Sequence, residues 1–277
     1  MLHHVILPAL RFSPAIKNFV VGSAMPSNNH LPANLATQLV VYLRGGSSLI
    51  AKHAAPARLP SAFIGGPSLK PLHFHAEPGS AFVAATIRSD YLSDYFDIPS
   101  GEIAHQIIPL EDAVAPHLAN SLQENIAYAR NPQQVVACME SFLDQARMHK
   151  RHTLLLLPRF SATELQLPGH ILAAASNLGV RQFERRFRQH YGVSLRDYRR
   201  LARFNTALAT LIAQVPERGV STRIAQDSGY FDDAHFSRDF QDFIGAAPGK
   251  FIKTRNSDES AYRLWRFNQK DMQAFID

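Results

Sequence analysis

Arg223-Ile224-Ala225-Gln226-Asp227-Ser228-Gly229-Tyr230-Phe231-Asp232-Asp233-Ala234-His235-Phe236-Ser237-Arg238-Asp239-Phe240 is the stretch that decides the fold. Its residue types read as two helices folded across a turn. Arg223 to Ala225 predicts a short helix ending near Ala225, and Gly229 is a turn residue that reaches positive φ without a Cβ clash. Asp232 can cap the next helix, to which Phe236 and Phe240, four residues apart, give an apolar face. Upstream, the same roles recur in Ile171-Leu172-Ala173, Asn177, Gly179, Phe183, Phe187 and Gly192. Asn tolerates positive φ, and Gly is an acceptable though weaker N-cap. Between the passages Ser194 can cap a long helix with the stripe Tyr198, Leu201, Leu208 and Ile212, and with Arg196, Arg199, Arg200 and Arg203 on other faces. That helix would hold two helix-turn-helix units at a fixed separation.

At about 100° of rotation per residue, turning Phe183 and Phe187 inward points Arg181, Arg185, Arg188 and Gln189 outward. In the second unit Phe236, Phe240 and Phe243 face inward, leaving Ala234, Arg238 and Gln241 outward with Ser237 at the edge. Arginine can bond guanine O6 and N7 bidentately, glutamine can read adenine, and alanine can lie against a thymine methyl. These are the expected DNA contacts, with Arg199, Arg200 and His235 as expected contacts to the DNA backbone. A lone arginine-bearing helix is more often a solvated face. Two of them, each behind a turn of the right kind, favour the DNA reading.

Charge points the same way. Residues 1–150 carry 10 basic and 10 acidic side chains and residues 151–277 carry 19 and 13, so the second part holds the whole net +6. Arg181 to Arg203 contains eight arginines against Glu184 and Asp197. An anionic partner is expected there, and arginine in place of lysine favours bidentate contacts. No apolar run approaches the roughly 20 residues of a membrane-spanning helix, and Met1 to Leu10 lacks the basic-then-apolar order of an export signal. A cytoplasmic protein away from the membrane is the expectation. The single cysteine, Cys138, excludes an internal disulfide, a four-cysteine zinc module and a CxxC redox centre, and reads as a residue on an apolar helix stripe.

Residues from about Leu167 to Phe251 resemble the C-terminal DNA-binding domain of AraC/XylS-type transcription regulators. The resemblance rests on Ile224, Ala225, Gly229, Tyr230, Asp232, His235, Phe236, Ser237, Arg238, Phe240, Gly245 and Pro248, with Arg203, Ala207 and Leu211 on the linker-helix pattern. It implies a monomeric unit of seven helices, with two recognition helices entering successive major-groove segments on one side of DNA. It also implies transcription regulation, more often activation. The first unit departs from the pattern at Asn177 and Gly179, where the family has Gly and Ser. The second departs at Ala234, where a Ser hydroxyl is usual, so Arg238 is expected to contribute more than Ala234.

The N-terminal half reads as strands broken by turn residues: Gln38 to Leu43 before Gly45-Gly46, and Ala62 to Ile64 before Gly65-Gly66-Pro67. Leu72 to His75 and Ala81 to Ile87 read as adjacent antiparallel strands joined across Glu77-Pro78-Gly79-Ser80, with a helix candidate from Tyr91 to Ile98. From Pro116 the spacing becomes helical, with Leu118, Leu122 and Ile126, and after Asn131-Pro132 with Val135, Met139, Phe142 and Ala146. The expected class is α+β. A small β-barrel or sandwich with two trailing helices would occupy residues 1–148, an all-α domain of two helix-turn-helix units joined by a linker helix 149–255, and a helical tail carrying Leu264, Trp265, Met272, Phe275 and Ile276 residues 256–277.

The first domain has the size of the sensing or dimerisation domain that such regulators carry, and it resembles their β-rich sensor domains. Double-stranded DNA is the expected partner. The resemblance adds a small-molecule effector of unknown identity, RNA polymerase and a second copy of the chain as further candidates. His73-Phe74-His75 puts two imidazoles on one strand face, but Glu77 follows too soon for the cupin metal spacing, so these histidines read as facing solvent or a polar pocket. There is no HExxH, GxSxG, GxxxxGK[ST] or GxGxxG. No metal, cofactor or catalytic site is expected, and the chain does not read as an enzyme. Two alternatives stay open: a DNA-targeted enzyme with a catalytic N-terminal domain, and an architectural DNA binder without an effector.

Overall fold

The computed structural model describes residues 4–23, 28–50, 55–149, 157–213 and 220–254. Its first half holds two antiparallel sheets. The larger runs β1 (His4–Ile6), β2 (Ile16–Ser23), β9 (Ala81–Ile87), β4 (Thr37–Arg44), β7 (Ala62–Gly65), β10 (Ile107–Pro109). The smaller runs β3 (Asn28–Leu31), β8 (Leu72–Ala76), β5 (Ser47–Leu49), β6 (Ala57–Arg58). Period-two alternation explains the central strands: Thr37, Leu39 and Val41 of β4 are buried, and Leu39 and Val41 pair with Ala85 and Val83 of β9.

That apolar layer is covered by α2 (Pro116–Ala127) and α3 (Pro132–Met148). Both helices begin on proline, where the missing N–H costs nothing. Asn131 caps α3 by accepting the Gln134 N–H at 2.9 Å. Leu118, Leu122 and Ile126 of α2 and Val135, Met139, Phe142 and Ala146 of α3 are buried in one core with Phe19, Leu39 and Val83. Truncating a fully buried member such as Leu39 to Ala is expected to cost about 2–5 kcal/mol. Cys138 is half-buried beside this core, and its Sγ donates to the Asn125 carbonyl at 3.6 Å.

Two expectations need correction. Leu72 to His75 and Ala81 to Ile87 are strands, but they lie in different sheets, as β8 and β9. The turn between them carries the chain from one sheet to the other. Ser80 fixes the crossing, because its Oγ donates to the Gly46 carbonyl at 2.8 Å and accepts the Gly46 N–H at 3.0 Å. Turn composition reveals a reversal without naming each strand's partner. The helix expected from Tyr91 to Ile98 is only a 3-10 turn, Ser89–Tyr91, followed by α1 (Leu92–Tyr95).

The second half is helical throughout its described residues: α4 (Gly169–Ala175), α5 (Val180–Tyr191), α6 (Leu195–Ala213), α7 (Val220–Asp227), α8 (Asp233–Ile244) and α9 (Pro248–Thr254), with a 3-10 turn at Glu164–Gln166. These are six α-helices among the described residues, and the resemblance implies seven. Ser194 caps α6, its Oγ accepting the Asp197 N–H at 3.1 Å and donating to the Asp197 carboxylate at 2.6 Å. Leu195 and Tyr198 of α6 pack on a first core of Leu172, Phe183, Phe187 and Tyr191, while Leu201, Phe204, Leu208 and Leu211 enter a second core with Ile224, Phe236, Phe240 and Phe243. One long helix thus belongs to both units. The tail beyond residue 254 and residues 150–156 lie outside the described residues.

The two halves touch at several places. The Gly101 N–H donates to the Gln189 carbonyl at 2.8 Å and the Ala33 N–H to the Phe243 carbonyl at 2.9 Å. Arg159 pairs with Asp94 at 2.5 Å and lies over the Tyr91 ring. The first approach needs glycines. A Cβ on Gly101 would stand 2.8 Å from the Arg188 carbonyl oxygen, and one on Gly192, which has φ +79°, would stand 2.3 Å from Pro67 Cγ.

Candidate nucleic-acid interface

Both units close their turns alike. In the first, α4 gives way to Asn177 at φ 53°, and the Leu178 N–H donates back to the Ala173 carbonyl at 2.9 Å. In the second, α7 gives way to Gly229 at φ 74°, and the Tyr230 N–H donates back to the Ala225 carbonyl at 2.9 Å. Each is a helix C-terminus closed through a left-handed residue. Asn177 is where a side chain that can hydrogen-bond locally was expected to tolerate that conformation.

The entries into the following helices differ. Gly179 caps α5 with extended backbone and no side-chain bond. Asp232 caps α8, its carboxylate accepting the His235 N–H at 2.6 Å, and Thr222 Oγ1 of α7 donates to Asp233 at 2.8 Å. Phe183 and Phe187 are buried on α5, and the Phe187 ring stacks on Tyr191 at 4.3 Å. Phe236, Phe240 and Phe243 are buried on α8, with Phe204 of α6 edge-on to Phe240 at 5.4 Å.

Burying one side of each helix exposes the other. Arg181, Arg185, Arg188 and Gln189 are exposed on α5, and Ala234, Arg238 and Gln241 on α8, with Ser237 half-buried. Among the described residues, none of Arg181, Arg185, Arg188 and Arg238 belongs to an ion pair, so their guanidinium groups are available to an external acceptor. An open cleft beside α5 is walled by the Gly101-Glu102 segment of the β half on one side and by Arg181, Arg185 and Arg188 on the other. His235 is half-buried, its ring edge-on to Tyr230 at 5.1 Å.

Arg199 and Arg200, expected at the DNA backbone, are engaged inside the domain. Arg199 Nε donates to the Leu165 carbonyl at 2.6 Å, and its terminal nitrogen reaches the Leu167 carbonyl. Arg200 Nε meets Asp239 at 2.7 Å, its terminal nitrogen meets Asp242, and its guanidinium lies over the Phe243 ring. Arg203 approaches the second oxygen of Asp239 at 3.8 Å and covers the Tyr230 ring. Asp239 is 1% exposed. A carboxylate so placed needs cationic partners to remain charged, and these arginines supply them. The count of arginines in sequence could not separate structural from external ones. The warning sign was Asp239 itself, a charge one residue from Phe240 on an apolar stripe.

At the far end of α5, His190 is buried against the domain junction. Burial, together with the Arg159 charge, lowers it to about 4, and burial pushes the neighbouring Tyr191 phenol up. In the β half, His73 Nδ1 stands 2.8 Å from His30 Nε2, and Glu77 pairs with Arg58 at 3.2 Å. His73, His75 and Glu77 do not converge, and no group of three such donors able to hold a metal occurs among the described residues.

A helix-turn-helix domain model matches residues 172–254, the span from within α4 to the end of α9. The match is of the AraC type and covers less than half of the chain. Among solved structures the chain is similar to ToxT from Vibrio cholerae, at 11% identity and a TM-score of 0.47 over 85% of this chain and 98% of that one. It is similar to an unsaturated fatty acid-bound ToxT of the same organism, at 12% identity and a TM-score of 0.45 over 84% and 94%. A third is the AraC-like transcriptional activator CuxR, at 13% identity and a TM-score of 0.26 over 72% and 85%. No curated protein sequence matches the chain. No helix among the described residues is long and apolar enough to cross a membrane.

Proposed function

We propose that this chain is a sequence-specific transcription regulator whose α5 and α8 read two successive major-groove segments on one side of the duplex. The carrying observation is that two similarly closed units, spanned by α6, each bury a phenylalanine face and expose a polar face whose arginines have no ion-pair partner among the described residues. Arg181, Arg185, Arg188 and Gln189 form the first contact set, and Ala234, Ser237, Arg238 and Gln241 the second, with His235 at its edge. Arg199 and Arg200 fall outside it, since each already bonds its own domain.

In this reading residues 149–255 bind DNA and residues 1–148 are an effector-binding or dimerisation domain. The protein works in the cytoplasm, without catalysis. The test is selection of duplexes from a random-sequence pool by the full chain. Enrichment of one motif with two elements about one helical turn apart supports the reading, and binding that falls steeply with salt follows from its charge. Uniform recovery of the pool at every salt concentration would sink it.

A further inference from the structure

Aligning the two units exposes a difference of one residue. The turn bonds of Leu178 and Tyr230 are equivalent, each reaching five residues back. From there the first unit goes straight to its N-cap, Gly179, whereas the second inserts Phe231 before Asp232. Phe231 is 93% exposed. A hydrophobic residue just before an N-cap ordinarily packs on the fourth residue of the helix, here Phe236. That place is taken by Tyr230, whose ring is edge-on to Phe236 at 5.1 Å. The second unit thus presents an aromatic ring to solvent that its own core does not use.

Its position says what it faces. Phe231 stands one residue ahead of the N-cap Asp232, whose backbone is extended, so it lies in the turn at the N-terminal end of α8 and not on the helix itself. The N-terminal end of a recognition helix is the part that meets base edges, and it carries the positive end of the helix dipole, which favours approach to phosphate-lined grooves. Among the bases, thymine offers an aromatic ring an apolar surface in the major groove, its C5-methyl group.

We propose that Phe231 is a further specificity-determining residue of the second unit, packing against a thymine C5-methyl at the edge of the segment read by Arg238. The proposal rests on the DNA-reading assignment above. The probe is the duplex enriched by the full chain from the random pool, together with copies in which each thymine in turn is replaced by deoxyuridine, which lacks only the methyl. For the parent, one such replacement within the Arg238 element should weaken binding about threefold to tenfold, the range expected for an apolar contact of this size. Phe231→Ala should bind the thymine duplex weaker by a similar factor and be indifferent to that replacement, while Phe231→Leu keeps part of both effects. Binding to random duplex and the thermal midpoint should not change, because the ring is 93% exposed. If the parent enriches a motif and Phe231→Ala binds it like the parent, or retains the deoxyuridine effect, this proposal is overturned alone. If Phe231→Ala instead changes the oligomeric state without DNA, the ring serves a protein contact and the proposal is likewise wrong. A parent that enriches no motif overturns both this proposal and the reading beneath it.

Discussion

The first helix-turn-helix unit turns on Asn177 and enters α5 through Gly179, which has no side chain to cap it, whereas the second turns on Gly229 and enters α8 through the carboxylate of Asp232. What holds each recognition helix differs as well. α8 carries Asp239, clasped by Arg200 and Arg203 of α6. Among the described residues α5 has no ion-pair clasp; its C-terminal end is met by the Gly101 N–H and by Pro67 against Gly192. The β half touches both units, since Ala33 also donates to Phe243. The β half enters the second unit's core with Ala33, Leu35 and Leu69, and it meets the first at the C-terminal end of α5.

The clasp should give the largest effect. Asp239→Ala leaves Arg200 and Arg203 without their shared carboxylate and is expected to cost about 3 kcal/mol in urea denaturation, the low end for a broken buried pair because Arg200 is partly exposed. A loss below about 1 kcal/mol, the range of surface pairs, would remove the clasp from the comparison.

Acid should strike the first unit. His190 stands at about 4 in the fold and returns to 6.5 on unfolding. The unfolded chain then binds the proton more tightly, so the stability His190 contributes is fully present above about pH 6.5 and lost as pH falls toward 4. His30, lowered to about 4 by burial, by His73 and by Lys250, adds to the loss in the same window from the β half. Hydrogen exchange at pH 7 and pH 5 should show α5 amides losing protection before those of α8, and His190→Gln should reduce the difference. Equal loss in both helices would mean that the junction does not set the first unit's stability.

The two left-handed C-caps offer a matched pair. Gly192→Ala and Gly245→Ala share a backbone strain of about 1–2 kcal/mol. The new methyl at Gly192 meets Pro67 Cγ at 2.3 Å, while at Gly245 the nearest atom, Pro71 Cγ, is 3.5 Å away. Gly192→Ala should therefore cost about 1 kcal/mol more, and Pro67→Ala should recover that excess. Equal costs would show that the halves are not packed as described.

The smallest effect concerns the turns. Asn177→Gly should leave stability equal or up to about 1 kcal/mol higher, since Gly reaches positive φ without a Cβ clash, whereas Asn177→Val should cost about 1–2 kcal/mol. Thermal melts of the full chain decide this. A Val variant that melts like the parent would move the turn and shift the register of α5.

Legibility followed the range of the interactions. Asn177, Gly229, Asp232 and the phenylalanines four apart act on neighbours within a turn or two, so their roles are written in spacing, as are the stripes of α2 and α3. Partners far apart in sequence are not. The strand at Leu72 was placed beside Ala81 because a turn joins them, although Ser80 hands the chain to the other sheet. Arg199 and Arg200 read as free cations because the carbonyls of Leu165 and Leu167 and the carboxylate of Asp239 lie 32 to 39 residues away. Gly192 was legible as the end of a helix, but its closeness to Pro67 was not. Phe231 stood in the open, one residue beyond the pattern of the first unit, and only its exposure marked it out.

The central claim is that α5 and α8 read separate segments of one site. Footprinting of the enriched duplex with Arg185→Ala and Arg238→Ala in the full chain tests it most directly. Each variant should lose protection and base discrimination in its own segment, the two segments lying about one helical turn apart, at a cost of about 1–3 kcal/mol each, with binding to random duplex little changed. If both variants weaken the same segment, or if Arg238→Ala weakens random and enriched duplex equally, the two helices are not two reading heads.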